Sequence, residues 1–251
     1  MTAGRDSAAD KAKPASSQPS PTTLSNSAQQ PSAPGEITAQ STQPSSQKPL
    51  KIAVFASGSG SNFQALVEAI REQAIPATVS LLVCDKPAAR VVQRAEALGV
   101  PAFLFDPKAY ASREAYEEEI VGRLHEEGVE LIVLAGYMRL ITATLVEPYY
   151  GRMINIHPAL LPAFPGVRAI RQALEYGVKL AGVTVHFVDG GMDSGPIIAQ
   201  QAIEVRDDDT EDTLAERVHA VEHELLPRTV RWIAEGRVTL NDRKVTIRPG
   251  D

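Results

Sequence analysis

The stretch Ile52–Ile70, IAVFASGSGSNFQALVEAI, decides how the rest of the chain is read. It opens with an apolar run, Ile52–Ala56, of the kind that forms a strand buried on both faces. A glycine-rich turn follows, Ser57-Gly58-Ser59-Gly60-Ser61-Asn62, after which Phe63, Leu66, Val67 and Ile70 recur at helical spacing. Strand, glycine turn and helix in that order open a parallel βαβ unit. The rhythm then continues. Val79–Cys84 reads as a second buried strand, Ala88–Leu98 as a helix and Ala102–Phe105 as a short third strand. Ser112 caps a helix through about Glu127 that carries Tyr116, Ile120 and Leu124 on one face, and Leu131–Ala135 is the next strand. Beyond a Pro-rich loop, Ala169–Tyr176 reads as a short helix, Val183–Val188 and Ile197–Val205 as strands, and Thr210 to Glu235 as a long last helix. The expected fold class is α/β: a doubly wound, mostly parallel central sheet with helices on both faces, forming one catalytic domain over residues 50–251.

Residues 1–49 are of different material, rich in Ser, Pro, Gln, Ala and Thr, with no aromatic residue and no apolar period. Such a segment buries too little surface to offset its ordering entropy and reads as a disordered tail. The whole chain has 251 residues, is 43% hydrophobic and carries a net charge of −6. Acidic residues outnumber basic ones, which argues against a nucleic-acid partner gripped by its phosphate backbone, although a pocket for one phosphate is compatible with it. Cys84 stands alone, so neither an intrachain disulfide nor a thiolate metal cluster can form. No window approaches the roughly 20 apolar residues of a membrane span, and a reducing cytoplasm is the expected location.

Three stretches carry chemistry. The turn Gly60-Ser61-Asn62 puts backbone amides and a helix N-terminus where they can hold a phosphate. A dinucleotide fingerprint would place glycine at Phe63, and a P-loop would need Gly-Lys-Ser or Gly-Lys-Thr, so a monophosphate suits the turn better; the plainer alternative is an unused tight turn. The second stretch is Met153–Gly166, MINIHPALLPAFPG. Strand alternation sends Asn155 and His157 out on the same face, and Pro158, Pro162 and Pro165 stiffen the loop that follows. The third is the glycine-rich loop Asp189-Gly190-Gly191-Met192-Asp193, either a polar turn with Asx capping or the source of a carboxylate for His157. Asn155 and His157 as donors to a developing oxyanion, with a carboxylate behind the imidazole, are equipment for acyl transfer without a covalent nucleophile. Each of these stretches follows a predicted strand, as does Gly136-Tyr137-Met138-Arg139, so all four are expected in one crevice at the carboxyl ends of the sheet. His186 is the rival histidine. His219 and His223 lie one helical turn apart, but Ala220 occupies the glutamate position of a metalloprotease helix, and no metal is expected.

From Lys51 to Ile247 the chain resembles the phosphoribosylglycinamide formyltransferase family, through FASGSGSNFQAL, LAGYMRLI, NIHPALLPAFPG and VHFVDGGMDSGPIIAQ. The resemblance implies transfer of a formyl group from 10-formyltetrahydrofolate, the cosubstrate, to the amine of glycinamide ribonucleotide. It implies that Gly60, Ser61, Asn62, Phe63 and Gln64, with His219, Ala220, Val221 and Glu222, surround the ribonucleotide. It implies that Arg113, Met138, Arg139, Leu140, Ile141, Asn155 and the Asp189–Asp193 loop surround the folate, with His157, Asp193 and Asn155 catalytic. Arg168 and Ile170 stand where relatives carry histidine. A homodimer is compatible with the resemblance. The alternatives are a formyltetrahydrofolate deformylase, a methionyl-tRNA formyltransferase, for which no C-terminal nucleic-acid-binding domain is seen, and a non-catalytic nucleotide-binding module.

Overall fold

A computed structural model describes residues 48–250; apart from Lys48 and Pro49, the tail expected over residues 1–49 lies outside the described residues. The sheet begins with β1 (Leu50–Phe55), followed by helix α1 (Ser61–Glu72), β2 (Ala77–Cys84), α2 (Arg90–Ala97) and β3 (Ala102–Leu104). Helix α3 (Arg113–Glu126), β4 (Leu131–Leu134), the single turn α4 (Ala143–Val146), β5 (Met153–His157) and α5 (Ala169–Tyr176) come next. The chain closes with β6 (Leu180–Phe187), β7 (Ile197–Glu204), the long α6 (Glu211–Ala234) and a separate hairpin of β8 (Val238–Asn241) and β9 (Lys244–Ile247). Strand order in the seven-stranded sheet is β3-β2-β1-β4-β5-β6-β7. The strands from β3 through β5 pair in parallel, whereas β5 with β6 and β6 with β7 pair antiparallel.

Alternation along β1 shows why both faces are covered. Ile52, Val54 and Ala56 join a core with Phe63, Leu66, Val91, Ala173, Leu214, Val218 and Leu225, which places α1, α2, α5 and α6 on that side. Ala53 and Phe55 join the opposite core with Tyr116, Ile120, Leu124, Leu145 and Tyr149, under α3 and α4. A doubly wound sheet is thus the solution to strands apolar on both faces. Of the boundaries that differ from the sequence reading, two have a visible cause. Helix α2 starts at Arg90, because Lys86–Ala89 closes a turn through the Ala89 amide and the Lys86 carbonyl at 2.8 Å. Strand β6 starts at Leu180, and Gly182, which weakens the strand pattern, is there because a side chain would lie 2.3 Å from the Gln201 carbonyl. The helical turn at Ala143–Val146, capped by the Thr142 hydroxyl, went unanticipated because a four-residue helix shows no period.

Gly60 is the one glycine on which the first turn depends. Its φ of +73° is left-handed, and a Cβ there would fall 2.4 Å from Val91 Cγ2 and 2.9 Å from the Val91 Cα. Since Val91 is itself tied to the turn by its amide on the Gly58 carbonyl at 3.2 Å, it has little freedom to yield. Gly60→Ala is therefore expected to cost roughly 2–4 kcal/mol from strain and overpacking together. Urea unfolding should show a lowered midpoint with the slope preserved; an unchanged midpoint would disprove the close packing of α2 on the turn.

Candidate functional site

The polar centre of the molecule is a block set into one face of the sheet. In the antiparallel register Asn155 stands opposite His186, and His157 opposite Thr184. Their neighbours Ile154, Ile156, Val183, Val185 and Phe187 point the other way into the core beneath α5 and α6. His157, Thr184 and His186 are all buried, the last only 2% exposed.

Each ring nitrogen has a defined neighbour. His186 Nδ1 lies 2.8 Å from the Phe187 carbonyl, an acceptor only, so this nitrogen carries the proton and Nε2 accepts from Asn155 Nδ2 at 3.2 Å. The second amide hydrogen of Asn155 goes to Asp193 Oδ1, also at 3.2 Å. Both donors of Asn155 are therefore engaged within the protein. His157 Nε2 donates to the Phe164 carbonyl at 2.9 Å, and Nδ1 faces Asp193 Oδ2 across 3.5 Å, a charge contact looser than a hydrogen bond. Asp193 Oδ2 also accepts the Gly166 amide at 2.7 Å. Burial alone would raise the Asp193 carboxyl, but the donors and charge around it, among them the Gly166 amide and His157, outweigh it and hold the group below the usual carboxylate range. Asp193 has a φ of 49°, a left-handed conformation that aspartate tolerates better than most residues.

The expected gathering of loops needs one correction. The loops after β1, β4 and β5 leave from carboxyl ends of parallel strands, but β6 runs opposite to β5, so the Asp189–Asp193 loop leaves from the other end and reaches the block over the sheet face. Both readings of that loop are realised, at different residues. Asp189 Oδ1 makes the Asx-type turn, accepting the Gly191 amide at 3.0 Å and the Ser194 hydroxyl at 2.7 Å, while Asp193 reaches the histidines. Gly190 and Met192 are exposed. On the loop after β5, the Leu161–Pro162 bond is cis. Thr184 holds that loop by accepting the Leu161 amide at 3.1 Å and donating to the Ala159 carbonyl at 2.6 Å. The sequence reading missed Thr184, although its alternate position to His186 was a usable signal.

At the first turn, Gly60 occupies the cap position of α1 without a side-chain cap, and the Gln64 amide is the first to close on the Gly60 carbonyl, at 3.0 Å. Ser61, Asn62 and Phe63 thus begin a helix at its positive end. Asn62 Nδ2 donates to Glu222 Oε2 at 3.0 Å, joining the turn to α6 across 160 residues of sequence. Gln64 is less available than expected: its oxygen takes Arg94 Nη1 and its amide donates to Glu68 at 2.7 Å. His219 and Ala220 are exposed on α6, with Val221 half-buried beside them. Met138, Arg139 and Leu140 are exposed after β4, Ile141 half-buried, and Arg113 exposed at the start of α3. Arg168, with φ 59°, precedes α5 in solvent, whereas Ile170 packs against the core. No helix among the described residues is long and apolar enough to cross a membrane.

Glu222 makes a test independent of chemistry. Burial pushes its carboxyl up, against the smaller opposing effects of the Asn62 hydrogen bond and His219. A carboxyl raised in the folded chain holds its proton more tightly there than when unfolded. Its ionisation therefore costs nothing below the unfolded value of about 4.3, and the cost is complete once pH exceeds the folded value. Glu222→Gln should raise the thermal midpoint at pH 8, with the gain shrinking as pH falls toward about 4. A pH-independent difference, or a loss, would contradict the assignment.

Known proteins resemble this chain over most of its length. Residues 50–230 match the family model described as formyl transferase. A phosphoribosylglycinamide formyltransferase of Bacillus subtilis is 55% identical over 183 residues, covering 73% of this chain and 94% of the relative. The crystal structure of glycinamide ribonucleotide transformylase 1 from Symbiobacterium toebii superposes with a TM-score of 0.78 at 46% identity, covering 80% of this chain and 95% of that one. Its counterpart from Geobacillus kaustophilus gives 0.73 at 52% identity, covering 74% and 99%.

Proposed function

Because the chain belongs to the formyl transferase family, we propose that it moves the formyl group of 10-formyltetrahydrofolate onto the amine of 5'-phosphoribosylglycinamide, yielding formylglycinamide ribonucleotide and tetrahydrofolate in purine biosynthesis. The observation that carries the proposal is the Asp193 carboxylate, which meets Asn155, His157 and the Gly166 amide at once. Among the described residues no serine or cysteine joins that cluster, so the geometry suits direct attack of a substrate amine rather than an acyl-enzyme. In our reading the catalytic domain spans residues 50–251.

The neutral amine attacks the formyl carbon, forming the new C–N bond as the carbonyl electron pair moves onto oxygen. His157, with Asp193 behind its Nδ1, supports the negative charge on that oxygen once the Nε2 hydrogen now given to the Phe164 carbonyl is shared with it. Asn155 is held beside it by His186, and its contribution as a donor requires one hydrogen now on Asp193 to be shared with the substrate. Collapse breaks the bond to N10 of the folate; N10 gains a proton and the attacking nitrogen loses one, with Asp193 and His157 the groups placed to pass it. The phosphate belongs on the amides of Gly60, Ser61 and Asn62, with Phe63 and Gln64 shaping the turn. Glu222 accepts from the ribose hydroxyls, flanked by His219, Ala220 and Val221. The folate lies along Arg113, Met138, Arg139, Leu140, Ile141 and the loop Asp189, Gly190, Gly191, Met192 and Asp193.

The decisive assay follows tetrahydrofolate formation from 10-formyltetrahydrofolate with and without glycinamide ribonucleotide. Formation only with the ribonucleotide is the expected result; formation without it would assign water as the acceptor and overturn transfer. His157→Ala and Asp193→Ala should each lower turnover about 100-fold or more, and near-normal turnover in either would remove that residue from the mechanism.

A further inference from the structure

The segment between β4 and α4, Gly136–Ile141, has no regular structure, yet buried polar side chains from three separate elements fasten it and its last neighbour Thr142. Ser57, just past β1, accepts the Met138 amide on its hydroxyl at 2.9 Å. Asp85, just past β2, accepts Arg139 Nε on Oδ2 at 2.7 Å. Glu117, inside α3, accepts the Thr142 amide at 3.0 and 3.1 Å on its two oxygens and the Thr142 hydroxyl at 2.5 Å. Ser57 and Asp85 are 3% exposed and Glu117 is 1% exposed.

The arrangement is expensive. Two carboxylates are withdrawn from water, and Asp85 Oδ1 has no partner among the described residues. What the anchors hold in place is equally unfavourable in isolation: Met138 is 65% exposed and Leu140 57%. A segment that only linked a strand to a helical turn would need neither the buried anchors nor the exposed apolar side chains. The cost makes sense if the shape of the loop must be fixed before a ligand with an apolar face arrives, because a preset loop loses less entropy on binding.

We propose that Ser57, Asp85 and Glu117 are positioning residues for the formyl donor, touching neither substrate and acting by holding Met138, Arg139 and Thr142 so that the loop forms a ready shelf for the flat heterocycle of the folate. This rests on the reading that the donor lies along residues 138–141. Ser57 also fixes the segment through its backbone: its N–H donates to the Gly136 carbonyl at 3.0 Å, so the first glycine turn and the shelf are tied to each other.

The test uses Ser57→Ala, Asp85→Ala and Glu117→Gln, with Ser57→Thr as the variant that keeps the hydroxyl. For each, KM for 10-formyltetrahydrofolate, KM for glycinamide ribonucleotide, kcat and the thermal midpoint are measured. The donor KM is expected to rise about tenfold while kcat and the ribonucleotide KM stay within about twofold, and Ser57→Thr to restore the donor KM. An unchanged donor KM in the variants would overturn the proposal. So would a fall in kcat and a rise in both KM values that track the loss of thermal midpoint, since that is the behaviour of general structural damage. If one variant yields no folded protein, the other two decide. A wild-type chain without ribonucleotide-dependent turnover would instead overturn the function on which the proposal rests, a result read in the control before any variant is compared.

Discussion

Polar side chains in a sheet face cannot be left without partners, and meeting that requirement shapes the centre of this molecule. Asn155, His157, Thr184 and His186 form a square in the β5–β6 register. Leaving any of them unpaired in a buried setting would cost on the order of 1–3 kcal/mol each. The loops supply what the sheet cannot. Phe164 gives a carbonyl to His157, Asp193 a carboxylate to both His157 and Asn155, and the Pro-rich loop its Leu161 amide and Ala159 carbonyl to Thr184. Satisfying the block and assembling the site are therefore the same event. Asp193 also accepts the Gly166 amide, so one carboxylate joins the loop after β5 to the loop after β6.

The antiparallel turn of the sheet at β6 is what permits this. A parallel strand in that place would carry its following loop to the carboxyl edge, beside the loops after β1 and β4. Because β6 runs the other way, the Asp189–Asp193 loop starts from the opposite end and lies across the polar face. That face is the side on which Phe55, Ile120 and Leu124 build a core beneath α3 around β1 and β4. Helices cover the sheet where it is apolar, and loops cover it where it is polar.

The sequence made most of this legible where a period or a punctuating residue was present. The run Ile52–Ala56 with its glycine turn announced the parallel unit, and alternation through Asn155 and His157 announced two side chains on one face. What it could not show was pairing across the sheet. Nothing local distinguishes His186 as the acceptor that orients Asn155, since that depends on which residue of β6 stands opposite which residue of β5. The same limit hid Ser57, Asp85 and Glu117, each of which reads as an ordinary turn or helix residue until the loop from Gly136 to Ile141 comes to rest against it. Gln64 shows the converse: its place in the turn suggested an available side chain, but Arg94 and Glu68, from α2 and from its own helix, already engage it.

Burying charge also orders the two halves of the site energetically. Asp193 is surrounded by groups that favour its ionised form, so the carboxylate contributes to stability at neutral pH, and that contribution is lost only as pH falls through its depressed folded value. Glu222 has the opposite balance, since desolvation outweighs the Asn62 amide and its ionised form is tolerated rather than favoured. A group of the first kind needs no ligand to hold its charge. A group of the second kind gains when further donors arrive, and hydroxyl donors from a ribose would complete the shell that Asn62 begins. On the proposed function, the half of the site around Asp193 is thus stabilised in advance by its own protein partners, while the half around Glu222, where burial disfavours the ionised form, gains most when further donors arrive.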